Sequence, residues 1–361
     1  MNQHEYAVIM AGGIGSRFWP ESRNNHPKQF LDILNTGKSL IQWTYERFRK
    51  FIPNENIYVV THKKYIDQVR EHLPDLPMVN IVPEPSRKNT APCIAYISYK
   101  IQKKDPQARI ICSPADHLIL DQENFSNLCL EGLRFVENEA ALLTLGIKPS
   151  RPDTGYGYIQ FDTRSPRSDQ IYKVRTFTEK PNLELAATFL KSGDFLWNAG
   201  IFLWHVDTIL AAFKQYQPEL SELFEQVHDK LNTEEEADSM AFVYSQCINM
   251  SIDYAVMEKA DNVFVKPANF GWSDLGTWNS AYDNMDKDYL SNAVSGKNVR
   301  VVDATRCMVK APNEKLVVLQ GLDNFIVVDT KDVLLICNKD REQQIRDYVA
   351  DIKRNKGEKY L

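Results

Sequence analysis

Long apolar runs are missing from this chain of 361 residues. No stretch approaches the roughly 18 to 20 residues that span a bilayer, and the mean hydropathy is −0.40. A basic excess is missing too. The 43 Lys and Arg stand against 48 Asp and Glu, for a formal charge of −5 and a pI near 5.9, so an extended polyanion such as nucleic acid is an unsuitable partner. Paired cysteines are absent: Cys93, Cys112, Cys129, Cys247, Cys307 and Cys337 contain no CxxC and no Cys/His cluster of zinc spacing, and read as reduced core residues. The N-terminus carries no basic n-region before its first glycine turn, so a cytoplasmic location without membrane attachment is expected. Low-complexity tracts are also lacking, and 43% hydrophobic residues are too many for a disordered chain.

What is present is alternation. Short β-rich runs at Tyr6–Met10, Ile57–Thr61, Val79–Pro83, Arg109–Ser113 and Ala140–Gly146 are separated by amphipathic stretches at Ser39–Ile52 and Pro92–Lys103. That spacing predicts βαβ units and a mainly parallel sheet, with ligands taken beyond the carboxyl ends of the strands. Two hairpin-like stretches (Tyr156–Phe161, Ile171–Glu179) and a helix over Leu183–Lys191 read as elaborations of this sheet. After Asn292 the texture changes to short β runs ending in a helix over Gln343–Lys353. A boundary near Asp288 divides the chain into residues 1–287 and 288–361.

Glycine is scarce, 15 in 361 or about 4% against a usual value of about 7%. Yet Gly12, Gly13 and Gly15 crowd into Ala11-Gly12-Gly13-Ile14-Gly15-Ser16-Arg17, directly after the first strand. Such a turn lets backbone N–H groups approach an anion, and Arg17 adds a planar cation. It is not the dinucleotide fingerprint, because Phe18 stands where GxGxxG needs its third glycine. Nor is Gly37-Lys38-Ser39 a P-loop, since Asp32 occupies the position of the first glycine. A bare strand-to-helix turn is the competing reading.

Lys28 follows Pro27 in a connection without helical pattern, where a solvated loop lysine is the bland alternative. Glu84, Arg87 and Asn89 follow the third strand; Asn89 or Thr90 suits a helix cap, while a carboxylate and an amide there suit the edge of a nucleobase. Asp116, in Ser113-Pro114-Ala115-Asp116-His117, places a carboxylate past the fourth strand. Two oxygen ligands suffice for Mg²⁺ when phosphates and water complete its shell, and Asp274, in the atypical loop Phe270–Gly276, is the candidate partner. His117 reads as a packed or capping histidine. Gly157, the Glu179-Lys180 pair and Asn198 offer a close approach, a phosphate clamp and a donor for a small polar ligand.

In this order the segments AGGIGSRFWPES, PKQF, EPSRKNTAP, PADH, GYGYI, FTEKP, WNAGIF, SIDYAVME and GWSDLGTW resemble the sugar-nucleotide pyrophosphorylases. Within them the chain is most similar to the mannose-1-phosphate guanylyltransferases, the GDP-mannose pyrophosphorylases. The resemblance implies a Rossmann-like α/β nucleotidyltransferase domain followed by a small left-handed β-helix-like domain. It implies the reaction of GTP with mannose 1-phosphate, dependent on Mg²⁺ and carried by a homo-oligomer, a dimer. The end at Leu361 leaves no room for the isomerase domain of longer relatives, so a short form is expected.

On the same resemblance Arg17 and Lys28 hold the triphosphate, and Asp116 with Asp274 the metal. Ala11, Gly12, Gly13, Gly15, Glu84, Asn89 and Thr90 face the nucleotide, Gly157, Glu179 and Asn198 the mannose hydroxyls, and Lys180 the sugar phosphate. Two alternatives stay open: another hexose 1-phosphate or nucleobase, and a catalytically silent sugar-nucleotide-sensing subunit. The retained Arg17, Lys28, Asp116, Lys180 and Asp274 argue against silence.

Overall fold

The computed structural model describes residues 3–168 and 170–361, without the side chain of Ser165. Contacts divide the chain into two compact units. The first takes in the chain up to Gly12, Thr44–Ala115 and Ile119–Trp272; the second comprises Gly13–Trp43, Asp116–Leu118 and Ser273–Leu361.

The first unit is built on one sheet. Its described strands are β1 (Glu5–Ala11), β2 (Ile57–His62), β3 (Ile81–Glu84), β4 (Arg109–Pro114), β5 (Leu142–Ile147), β6 (Tyr158–Ser168), β7 (Ile171–Thr178), β8 (Phe195–His205) and β9 (Val263–Ala268). The order is β3-β2-β1-β4-β8-β5-β9-β7-β6, with β6 also pairing β8. The β1, β2, β3 and β4 strands pair in parallel, as do β5 and β9. Burial of both faces explains their near-continuous apolar runs: Ala7, Val8 and Ile9 are wholly buried. The β8 strand runs antiparallel to both β4 and β5, which makes the sheet mixed.

Two expected strand bounds shift. The third strand begins at Ile81 rather than Val79, because Met78–Asn80 forms a single 3₁₀ turn. The Asn80 amide ties that turn to Ile57 O at 2.9 Å. The fifth strand begins at Leu142. Pro83 sits in β3, an edge strand, where a missing N–H leaves no ladder bond unmade on the outer side.

In the second unit Ala293–Ser295, Met308–Lys310 and Phe325–Asp329 pair in parallel, as do Val299–Val302 and Val317–Gln320. These short parallel rungs are the β-helix-like element. Leu334–Asn338 closes it antiparallel to Phe325–Asp329, and the helix Ile345–Lys356 ends the chain. A division at 287/288 follows chain order, whereas the compact unit gathers earlier segments as well. Phe18, Trp19, Leu31, Ile33 and Leu40 share one hydrophobic cluster with Trp278, Met308, Ile326 and Ile345, and that shared burial is the reason. Among the described residues no helix is long and apolar enough to cross a membrane.

Candidate active site

In the second unit the glycine turn delivers Lys28. Gly15 adopts φ 72°, a left-handed conformation, and a Cβ there would collide with Lys28 Cβ, so both shape and space require glycine. The Lys28 backbone N–H donates to Ile14 O at 3.2 Å, and the residue is 4% exposed. Its ammonium donates to Asp116 Oδ2 at 2.9 Å and to the main-chain carbonyl of Asp274 at 2.8 Å, and lies 5.5 Å from the centre of the Phe18 ring.

Partial burial pushes the Asp116 carboxyl up, but the Lys28 ammonium and His117 outweigh it and hold the group below the usual carboxylate range. The Asp274 carboxylate accepts the Gly276 N–H at 3.0 Å. It does not cap the following helix: Thr277 does, through a capping box with Ser280. Arg17 is half-buried in the 3₁₀ turn Ser16–Phe18, and its Nε has no hydrogen-bond partner among the described residues. No group of three or more His, Cys, Asp or Glu among the described residues could hold a metal by itself. Carboxylate oxygens such as those of Asp116 and Asp274 are the donor type of a hard cation that takes its other ligands from phosphate and water.

In the first unit the end of β3 presents Glu84, 4% exposed, whose Oε1 accepts the Tyr244 hydroxyl at 2.9 Å. A Cβ on Gly12 would lie 3.3 Å from Glu84 Oε2. Burial pushes Glu84 up to about 7 against the opposing pull of Tyr244 and Arg87. Arg87 Nε donates to Gly12 O at 3.0 Å, and its guanidinium stacks on Tyr65. The Ala11 carbonyl accepts the Thr61 hydroxyl at 2.9 Å. Asn89 and Thr90 have local work: Asn89 Oδ1 caps the helix Thr90–Lys104, and Thr90 Oγ1 accepts the Ile252 N–H at 2.8 Å.

The same unit brings Gly157, Glu179, Lys180 and Asn198 together. A Cβ on Gly157 would come within 2.6 Å of Glu179 Oε2 and 3.4 Å of Asn198 Cβ. Glu179 is paired with the exposed ammonium of Lys180. Asn198 Oδ1 accepts from Thr144 Oγ1 at 2.9 Å, and its Nδ2 donates to Asp253 Oδ1 at 3.0 Å. Burial, with the Glu179 carboxylate adding to it, pushes Asp253 up to about 6. Asp253, Thr144 and Tyr244 had no assigned part in the sequence reading. Asp253 stands in the quoted segment SIDYAVME, on a π-helical turn that no apolar period announces.

The fold and these clusters are those of an α/β protein that handles nucleotides. The nucleotidyl transferase family matches residues 6–291, and the mannose-phosphate isomerase/GMP-like β-helix domain matches residues 296–352. A mannose-1-phosphate guanylyltransferase of Salmonella montevideo is 36% identical over 96% of this chain and 73% of its own length. The alginate biosynthesis protein AlgA of Pseudomonas fluorescens is also 36% identical, over 96% of this chain and 71% of its own. A solved structure from Thermus thermophilus, described as a mannose-1-phosphate geranyltransferase, superposes with a TM-score of 0.86 at 29% identity, covering 97% of this chain and all of that one. The chain belongs to the nucleotidyl transferase family, among the mannose-1-phosphate guanylyltransferases.

Proposed function

We propose that the protein transfers GMP from GTP to mannose 1-phosphate, forming GDP-mannose and pyrophosphate. The likeness over 96% of the chain supports this reading. The single observation that carries it is the Lys28 ammonium, buried and held on both Asp116 and the Asp274 backbone. A phosphate oxygen of mannose 1-phosphate attacks the α-phosphorus of GTP in line. The bond from that phosphorus to the oxygen bridging the β-phosphate breaks, and the electron pair leaves with pyrophosphate.

The attacking oxygen is already anionic near neutral pH, so no general base is needed and no enzyme-bound intermediate forms. Two polyanions repel, and the work of the protein is alignment and charge neutralisation. Arg17 and Lys28 take the triphosphate, together with the N–H groups of Gly13 and Gly15. Asp116 and Asp274 would hold Mg²⁺, which would supply neutralisation of phosphate charge. Glu84 accepts from the guanine edge, near Ala11 and Gly12, while Asn89 and Thr90 shape that end of the strand. Glu179, Asn198 and Gly157 take mannose hydroxyls, and Lys180 the sugar phosphate.

We place this activity in the cytoplasm and assign it to a homodimer. The apolar Leu334 and Ile336, 57% and 51% exposed on the closing strand, support self-association. Light scattering that returns a monomer removes the dimer. The activity itself is tested by pyrophosphate release from GTP, ATP, UTP and dTTP across a panel of sugar 1-phosphates. GTP with mannose 1-phosphate is expected to lead, and a preference for UTP or dTTP overturns the reading.

A further inference from the structure

Glu84 is a buried carboxylate whose two oxygens are treated differently. Oε1 is taken by the Tyr244 hydroxyl at 2.9 Å, whereas Oε2 lies on the Gly12 side, 3.3 Å from where a Cβ on that residue would stand. Tyr244 is itself wholly buried, on the helix Glu236–Gln246. Its ring packs edge-on against Tyr96 with centroids 6.2 Å apart. A phenol so confined has little freedom to follow a moving carboxylate, so the carboxylate follows the phenol.

We infer that Tyr244 is a specificity-determining positioning residue for purine choice: its hydroxyl fixes the plane of the Glu84 carboxylate and aims Oε2 at the base edge. The inference rests on the reading of Glu84 as the guanine acceptor. Guanine offers N1–H and N2–H₂ as neighbouring donors, and an ionised carboxylate in a fixed plane accepts them. Adenine offers an acceptor at N1, which meets Oε2 lone pair to lone pair. A carboxylate free to rotate, or protonated, loses that discrimination, because a carboxylic acid can donate to adenine N1.

The groups facing Glu84 are few. Tyr244 and Arg87 favour its charged form, while Cys93 and Tyr96, on the helix Thr90–Lys104, lie close enough to feel that charge. His62 is its register partner on β2. Burial, which Tyr244 partly offsets, is what brings its protonation toward neutral pH. Removing the hydroxyl therefore moves protonation of Glu84 to higher pH, and the effect falls on GTP rather than ATP.

The test compares wild type, Tyr244→Phe and Glu84→Gln by kcat/KM for GTP and for ATP between pH 6 and 9. Tyr244→Phe is expected to lower the GTP to ATP ratio roughly threefold to tenfold at pH 7. It should also displace the acid limb of the GTP KM to higher pH, with GTP binding recovering by pH 9. ATP should show no such limb. Placing 4-aminophenylalanine at 244, which keeps a donor, should return the ratio toward wild type, and serves as the comparison if the phenylalanine variant does not fold. An unchanged ratio and limb in Tyr244→Phe, alongside a narrowed ratio in Glu84→Gln, overturns the role of Tyr244 alone. An unchanged ratio in Glu84→Gln overturns the base reading beneath it.

Discussion

The Lys28 ammonium lies 2.9 Å from Asp116 Oδ2 inside a site where Lys28 is almost wholly buried and Asp116 keeps 30% of its side chain exposed. The two partners are therefore not equivalent. Lysine has lost its water and needs the carboxylate, and its other acceptor, the Asp274 carbonyl, cannot replace a charge. Asp116 retains enough water to survive alone.

Substitution should show this asymmetry. Lys28→Ala leaves Asp116 without its cation and should raise its pKa, but the carboxylate keeps water, so the fold should lose little beyond the packing of the lysine stem. Asp116→Asn keeps a neutral oxygen for the ammonium but not its countercharge, so the fold should persist at a cost of about 1–3 kcal/mol. Turnover should nonetheless fall by about a hundredfold or more, since a lost metal ligand costs several kcal/mol in the transition state. Thermal melting and kcat at saturating Mg²⁺ check the pair; an Asp116→Asn enzyme with near-normal turnover removes Asp116 from the metal site.

Lys180 and Arg17 should separate kinetically. Lys180 has its side chain 58% exposed, so Lys180→Ala should leave the melting temperature within about a degree while raising the KM for mannose 1-phosphate. Arg17 has a buried Nε with no hydrogen-bond partner among the described residues, as expected of a group whose contact forms with the leaving pyrophosphate. Arg17→Ala should lower kcat more than it raises either KM. Equal effects of both variants on one parameter of one substrate would end the division of labour.

Gly157 provides a steric test of the sugar cluster. A Cβ would stand 2.6 Å from Glu179 Oε2, well inside contact distance, so Gly157→Ala must displace the Glu179 carboxylate. The obstructing atom is the end of a flexible side chain, so the carboxylate can give way at little cost to the fold. The KM for mannose 1-phosphate should rise with little change in that for GTP. A variant with both constants intact would detach Glu179 from mannose.

How much of this was legible in the sequence depends on how local the signal is. The strands β1, β2 and β4 declare themselves because each is a short β-rich apolar run between turns. The β8 strand does not: Phe195–His205 carries Asn198-Ala199-Gly200 in its middle, which reads as turn chemistry, and its pairing with β5 slips between Thr144 and Gly146. Lys28 and Asp116 were legible as odd residues after strands, but their mutual contact spans 88 positions and no periodicity encodes it. Glu84 could be placed at a strand end; Tyr244, 160 positions away on an ordinary helix, could not. Local pattern specifies elements, and partners across the sheet emerge only when the elements pack.

The last expectation concerns the cost of holding Glu84 ready. Its pKa is about 7 in the fold against an ordinary 4.5, so the folded protein binds a proton that the unfolded chain has released. A raised acid stabilises the fold below the unfolded value and withdraws that stability as pH rises through the folded one. The loss sets in between pH 4.5 and 7 and is complete above it. At 1.36 kcal/mol per unit the gap amounts to about 3 kcal/mol, an upper figure for one buried carboxylate. Glu84→Gln removes the charge while its amide oxygen still accepts from Tyr244, although its NH₂ group then needs an acceptor near Gly12. The variant should therefore be more stable than wild type by about 1–3 kcal/mol at pH 8, and the advantage should vanish by about pH 4.5. Melting temperatures of both proteins across that range decide the matter. A gain independent of pH would trace to packing, and a loss at pH 8 would mean that the ionised carboxylate is better solvated than its burial implies.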